Sequence, residues 1–338
     1  MKLRRAGLVQ PPPRARPSGG DLYNRRILQR AAADGFPLRA VGGDDPELAA
    51  GDWDLLVWDS LLLERVTRLP ARRTIVLLHY LPSLDPALDP PARAAARAIE
   101  RRAIGEADRT IAAGEPVAIA ARALAPDATI VVCEPGVAPE FLQRRPSLDA
   151  ASRRWGNAPG LLTVAHLLPA KGHGHLLDIL AGLRGLPWHW HVVGDVAADA
   201  RWACELRMRA DRAGIASRIT WHGALEQSEV ASLMDDCELF VFPSLFEAYG
   251  TAVAEAAAAG MPVLTTRVGA AGCLVRHGVS GYVVDAGDWD GFAGHLRRLL
   301  LEPARRAAFR ESACAAPVRN WDVAFREFRA ICEAAAPG

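Results

Sequence analysis

A chain of 338 residues with 40 basic and 39 acidic side chains has the length of two domains and almost no net charge. That balance excludes the electrostatic footprint of a nucleic-acid binder. Half of the residues are hydrophobic, enough to bury ordinary globular cores. The basic start MKLRRAGLVQPPP has no apolar run, so no signal peptide is expected. The least charged apolar stretch, Ala248–Thr266, is interrupted by Glu255 and Gly260 and makes a poor membrane span. Cys133, Cys204, Cys237, Cys273, Cys314 and Cys332 form no C-x-x-C pair, which favours free thiols and a cytoplasmic protein.

In chain order, strand-like runs are expected at Ala6–Val9, Leu38–Val41, Leu55–Trp58, Thr74–His79, Arg109–Ala112 and Ile130–Cys133. Helical patterns fall between them at Asp21–Ala33, Ala92–Ile104 and Pro116–Leu124, after a Pro- and Arg-rich loop at Pro11–Pro17. Gln143–Gly160 turns polar, and residues 146–159 are taken as a linker. The alternation then restarts. Strands are expected at Leu161–Ala165, Trp188–Val193, Ile219–His222, Leu239–Phe242, Val263–Thr265 and Tyr282–Val284. Helices are expected at His173–Leu183, Ala200–Ala213, Gln227–Asp235, Thr251–Ala259, Trp289–Leu301 and Ala304–Ala315. Apolar strands alternating with helices imply parallel sheets covered on both faces, hence an α/β chain of two Rossmann-like domains facing a central cleft. The domains are placed at 1–145 and 160–318. The amphipathic segment Trp321–Ala335, within 319–338, has no strand after it and is expected to pack back on the N-terminal domain.

Two segments carry chemistry. In VAHLLPAKGHGHLL (Val164–Leu177) a strand ends, a loop follows, and Gly172 opens a helix. A helix N-terminus attracts anions, and Lys171 adds a full positive charge. Of the 40 basic residues 38 are Arg, so Lys171 is the only lysine besides Lys2. In an Arg-biased chain, a retained lysine suits a site that needs a compact ammonium. Neither a Walker pattern nor a G-x-G-x-x-G opening a helix after a strand is present. In VFPSLFEAYGTAVAEAAAAGMPVLTT (Val241–Thr266) a strand ends at Phe242, a loop carries Glu247, and Gly250 opens an Ala-rich helix holding Glu255. Ligands bind outside the carboxyl ends of strands in open α/β sheets, where Glu247 falls. Eight helical residues would separate the two carboxylates by roughly 12 Å of rise, a poor match for a glycosidase pair at about 5–9.5 Å. The spacing suits carboxylates gripping different hydroxyls of one long ligand.

Pro243, Ser244, Glu247, Glu255, Gly260, Pro262 and Val263 together resemble the signature of glycosyltransferase family 4. Val164–Gly172 resembles that family's donor-phosphate segment, and His191-Val192-Val193-Gly194-Asp195 its next strand end. The N-terminal half matches more loosely, in Ser18-Gly19-Gly20 with Tyr23-Asn24, in His79 ending an apolar strand, and in Pro135-Gly136-Val137 with Phe141. The resemblance implies a GT-B fold and a retaining hexosyl transfer from a nucleotide-diphosphate sugar to an acceptor (small molecule, glycan or lipid-linked), with no bound metal and no other cofactor. It assigns Lys171 to the leaving diphosphate, Glu247 to the donor sugar and Glu255 to the ribose. Gly172, His166 and main-chain groups near Tyr249, Gly250 and Thr251 would complete the donor site. Gly19 and Gly20 would approach the phosphates, and His79 would line the reaction centre.

The family usually has Arg five residues before the phosphate lysine, where this chain has His166. It also often has paired glycines at Gly269-Ala270-Ala271. A neutral histidine supplies less charge than Arg. Two other readings therefore stay open: a non-catalytic nucleotide-sugar-binding protein, and a GT-B-fold epimerase or hydrolase. His173 and His175 do not face one another on a helix. His189 and His191 would share a strand face, but no Cys or carboxylate lies at ligand spacing, so no metal site is expected. Arg93, Arg97 and Arg101, with Arg102 beside them, read first as a solvated helix face and secondly as a peripheral contact with an anionic membrane.

Overall fold

A computed structural model describes residues 3–12, 18–66, 71–85, 88–142 and 158–335. Most of the expected Pro11–Pro17 loop and all but the last two residues of the expected 146–159 linker lie outside these residues. By packing, the chain divides into a first unit, Met1–Gly136 with Arg319–Gly338, and a second unit, Val137–Val318.

The first unit holds β1 (Ala6–Gln10), β2 (Leu38–Gly42), β3 (Leu55–Asp59), β4 (Thr74–Leu78), β5 (Arg109–Ala112) and β6 (Ile130–Val132). They form one sheet in the order β2-β1-β3-β4-β5-β6, with every pairing parallel. A strand such as LLVWD, buried at all five positions, tolerates only a sheet covered on both faces. Helices α1 (Gly19–Ala33), α2 (Pro90–Glu106) and α3 (Glu115–Leu124) supply cover. Helix α1 starts two residues before the apolar pattern does. Ser18 Oγ accepts from the Asp21 amide and Asp21 Oδ2 accepts from the Ser18 amide, a reciprocal cap that fixes the start.

The second unit holds β7 (Gly160–Val164), β8 (His189–Val193), β9 (Ile219–Gly223), β10 (Leu239–Phe242), β11 (Val263–Thr266) and β12 (Gly281–Val284) in the order β12-β11-β10-β7-β8-β9, again all parallel. Its helices are α4 (His173–Gly182), α5 (Ala200–Arg212), α6 (Gln227–Asp236), α7 (Thr251–Ala258), α8 (Trp289–Leu301) and α9 (Pro303–Cys314). The sheet separates two apolar layers. One is built around Trp188, Trp190, Phe292 and Leu296, the other around Phe240, Phe242, Met234 and Met261.

Helix α10 (Trp321–Ala335) returns to the first unit and packs on α1. Its buried face is Trp321, Ala324, Phe325, Phe328, Cys332 and Ala335, the spacing of one helical stripe. The Trp321 ring meets Tyr23 edge-on at 5.5 Å. A Cβ on Gly136 would lie 2.4 Å from the Trp321 nitrogen, so only glycine admits the chain there. Among the described residues, no helix is long and apolar enough to cross a membrane.

Candidate functional site

In the second unit the chain runs β7, β8, β9 outward on one side, then returns to place β10 on the other side of β7. This is a topological switch point, the place where open α/β sheets bind ligands, and the loops after β7 and β10 meet there. Both loops carry residues singled out from the sequence. Lys171 ends a tight turn, Pro169–Lys171, and Gly172 in the left-handed region (φ 73°, ψ 9°) starts α4. Glu247 lies in the loop after β10, and Gly250 (φ 98°) starts α7. Because the strands are parallel, both helix N-termini lie at this same end. Their first amides have no intrahelical acceptor and favour anions.

The structure brings Lys171 and Glu247 together: Lys171 Nζ donates to Glu247 Oε1 at 2.6 Å. Ser244 Oγ donates to the same carboxylate oxygen at 2.9 Å and also lies near the carbonyl oxygens of Phe246 and Ala170. The loops are joined through the main chain as well. The Leu245 amide donates to Ala170 O at 2.8 Å, and a Cβ on Gly172 would stand 1.9 Å from Pro243 O. Thr266 Oγ1 donates to Ser244 O from the end of β11. Gly269, where a Cβ would meet Tyr249 O at 2.3 Å, lets the Ala270 amide donate to that oxygen at 2.7 Å. Gly194, closing β8, sits where a Cβ would meet Ala165 O at 1.8 Å, directly beside His166.

Glu255 is buried inside α7, where its Oε1 accepts from Gln227 Nε2, at the start of α6, at 3.4 Å. Glu247 is on a loop and Glu255 on a helix, so a continuous helical rise does not relate the two carboxylates. Ser244 was visible only as part of a motif, without a role, and Gln227 only as a helix start. Gln227 has no local signal, because it acts on a residue 28 positions away, whereas Ser244 reaches Glu247 over only three.

In the first unit, His79 follows β4 and Asp59 ends β3, beside the corresponding switch point between β1 and β3. Asn24 of α1 lies between their side chains, with Nδ2 donating to Asp59 Oδ2 at 2.6 Å and Oδ1 2.9 Å from His79 Nε2. Tyr23 meets the His79 ring edge-on at 5.0 Å. Gly20 packs under it, since a Cβ there would come within 3.0 Å of the ring, while Gly19 is exposed at the first position of α1. Burial holds the His79 pKa below its ordinary value, against the upward pull of Asp59 and Asp21. Asp59 was not singled out from the sequence, although a carboxylate closing a wholly apolar strand is a usable signal.

His173 and His175 point apart: His173 is buried near Trp190, and exposed His175 stacks on Trp289 at 4.2 Å. His189 and His191 lie side by side, ring centroids 4.9 Å apart, and His191 Nδ1 is 3.0 Å from His222 Nε2. Among the described residues, no group of three or more His, Cys, Asp or Glu side chains is placed to hold a metal ion. Arg93 is tied to the carbonyl oxygens of Asp85 and Leu88, and Arg102 to that of Glu64, so two of the four arginines serve the unit's own backbone.

His173 gives an acid-sensitivity prediction. Neither ring nitrogen meets a hydrogen-bond partner. Burial, with repulsion from Lys171, pushes its pKa down from 6.5 to about 4. The stability tied to the neutral ring is complete above the unfolded value, and it is lost as pH falls through 6.5 toward 4. A shift of this size corresponds to about 3 kcal/mol. His173→Leu should flatten stability between pH 6.5 and 4, and should raise it at pH 7 by roughly 1–3 kcal/mol through removal of buried unpaired polar atoms. Urea unfolding at both pH values measures this; an unchanged pH slope would remove His173 as the cause.

Residues 145–315, just over half of the chain, match the family model described as glycosyl transferases group 1. The chain belongs to that family. It is 29% identical over 240 residues to a D-inositol 3-phosphate glycosyltransferase of Rhodococcus erythropolis, covering 68% of this chain and 53% of that one. The chain thus spans about half the length of the curated relatives it matches. Among solved structures, it is similar to the sucrose-phosphate synthase of Thermosynechococcus elongatus (TM-score 0.80, 17% identity, 98% of each chain covered). It is also similar to Anabaena HepE in complex with UDP and glucose (TM-score 0.79, 18% identity, 98% of this chain and 100% of that one). The fold of this group 1 member is GT-B.

Proposed function

We propose that this group 1 member is a retaining glycosyltransferase of family 4, moving a hexosyl unit from a nucleotide-diphosphate sugar to an acceptor in the cytoplasm. One observation carries the reading: Lys171 and Glu247, from the loops after β7 and β10, meet at 2.6 Å at the switch point beside the starts of α4 and α7. An ammonium has three hydrogens, and Glu247 takes one of them, leaving two for diphosphate oxygens. Negative charge grows on the diphosphate as the glycosidic bond breaks. A fixed cation and two oriented helix starts stabilise that charge without reorganising. Glu247, held by Ser244, accepts hydroxyl protons of the sugar. Glu255, supported by Gln227, takes the ribose hydroxyls, and the main chain at Tyr249, Gly250 and Thr251 holds donor oxygens. His166 and Gly172 complete the phosphate end. From the first unit the reading draws on Gly19, Gly20 and His79. The fold neighbour Anabaena HepE, solved with UDP and glucose and with UDP-glucose, makes uridine diphosphate sugars the first donors to test.

The test is a thermal-shift series with UDP, UDP-, GDP- and ADP-sugars, followed by product analysis over an acceptor panel. At about 100 times Kd, a true donor adds about 2.7 kcal/mol of stability, read as a higher melting temperature. No shift with any nucleotide sugar would overturn the reading. Binding without turnover would favour the non-catalytic alternative suggested by His166. Donor consumption without a glycosylated product would favour the epimerase or hydrolase.

A further inference from the structure

We infer that Asn24 and Asp59 are positioning residues that hold His79 in the tautomer with hydrogen on Nε2, leaving Nδ1 as the ring's acceptor. The inference rests on the proposed role of His79 in the reaction, and it concerns how the first unit prepares that ring.

The bonding rules fix the direction of each link. Asp59 Oδ1 accepts from the Leu61 amide at 2.8 Å and Oδ2 from Asn24 Nδ2 at 2.6 Å. A carboxylate has only acceptors, so it turns the NH2 end of the Asn24 amide toward itself. The carbonyl end then faces His79, and Oδ1 lies 2.9 Å from Nε2. A carbonyl oxygen cannot donate, so Nε2 must carry the hydrogen. In a neutral imidazole Nδ1 is then unprotonated. Asn24 and Asp59 are both almost fully buried, which makes an unpaired alternative costly.

The ring cannot turn away from this arrangement without disturbing its packing. Gly20 lies against it and Tyr23 edges it. The Tyr23 hydroxyl is anchored on Cys133 O at 3.0 Å, and the His79 amide donates to Ser60 Oγ at 3.2 Å. The charged groups facing the ring are Asp59 from β3 and Asp21 from α1, and Asp59 Oδ2 itself is 3.5 Å from Nε2. Without Asn24, Asp59 Oδ2 would lose its amide donor and, already 3.5 Å from Nε2, would pull harder toward the protonated ring. Asn24 thus transmits orientation from Asp59 to the ring, while burial favours the neutral imidazole. A lone pair on Nδ1 suits a hydroxyl-bearing ligand and disfavours a phosphate oxygen, because two acceptors cannot share a bond without a hydrogen.

The test uses the full chain labelled with 15N-histidine and long-range proton–nitrogen correlation spectra. Wild-type His79 should show the hydrogen on Nε2 at neutral pH. Asp59→Asn lets the Asn24 amide reverse, so Nδ1–H should gain population. Asn24→Ala should raise the His79 titration midpoint and lower kcat by about 10-fold or more, with the KM for the nucleotide sugar little changed. A wild-type ring with hydrogen on Nδ1, or variants that lose melting temperature while tautomer and pH profile stay put, would overturn the inference. A tautomer that follows the variants while turnover does not would uphold the positioning and remove His79 from the reaction, so the two readings fail separately. The wild-type spectrum alone decides the tautomer if either variant fails to fold.

Discussion

Lys171→Met should lower donor turnover by at least about two orders of magnitude, the loss typical when one preorganised charge-stabilising group is removed. Methionine keeps the length of the side chain and removes the ammonium. The nearest guanidinium substitute is informative because the chain otherwise prefers Arg so strongly. Lys171 makes a single-point contact, its Nζ on the same Glu247 oxygen that Ser244 reaches. A planar guanidinium needs a broader, forked partner, so Lys171→Arg should restore little of the rate. Glu247→Gln keeps the shape and removes the charge that pairs with Lys171, and it should fall into the same range. Initial rates with the donor found by thermal shift give the measurement, and circular dichroism checks folding. Full activity in Lys171→Met or Glu247→Gln would refute the assigned roles.

Gly172→Ala should be a severely damaging change for a single methyl group. The new Cβ would stand 1.9 Å from Pro243 O and 2.8 Å from its carbon, both backbone atoms, on a residue at φ +73°. Left-handed strain alone costs of order 1–3 kcal/mol, and the clash adds to it by forcing apart the loops after β7 and β10. The separation would also break the Lys171–Glu247 contact. The expected result is a loss of at least about 3 kcal/mol together with loss of nucleotide-sugar binding. Gly214→Ala isolates the strain, because Gly214 is at φ +68° with nothing within 4 Å. Gly185→Ala, in open space without positive φ, should be nearly neutral. Denaturant midpoints of the three variants measure the difference. Equal losses in Gly172→Ala and Gly214→Ala would show that contact with Pro243 contributes nothing.

Much of this architecture was readable because parallel sheets impose long apolar strands. LLVWD and LFVF have no solvent face, and helices fall between such strands with little ambiguity. The loop after β7 stands out in the sequence because Lys171 is the only lysine besides Lys2 and a glycine follows it directly. The Gln227–Glu255 and Asn24–Asp59 pairings are not readable in the same way. Ser244 reaches Glu247 over only three positions, whereas Gln227 acts on Glu255 from 28 positions away and Asn24 on Asp59 from 35. Such pairings appear only once strand order is known, and a strand order with a switch point does not follow from alternation alone. The separation of Glu247 from Glu255 was likewise uncertain until the helix start was located at Thr251.

The return of α10 to the first unit bears on biosynthesis. Residues 137–318 form one uninterrupted stretch, whereas the first unit is assembled from two pieces of chain separated by that stretch. Its core includes Trp321, Phe325 and Phe328, which leave the ribosome only after residues 137–318. During translation the first sheet must wait, one apolar side covered by α1 alone, while the unit encoded after it can already close its own core.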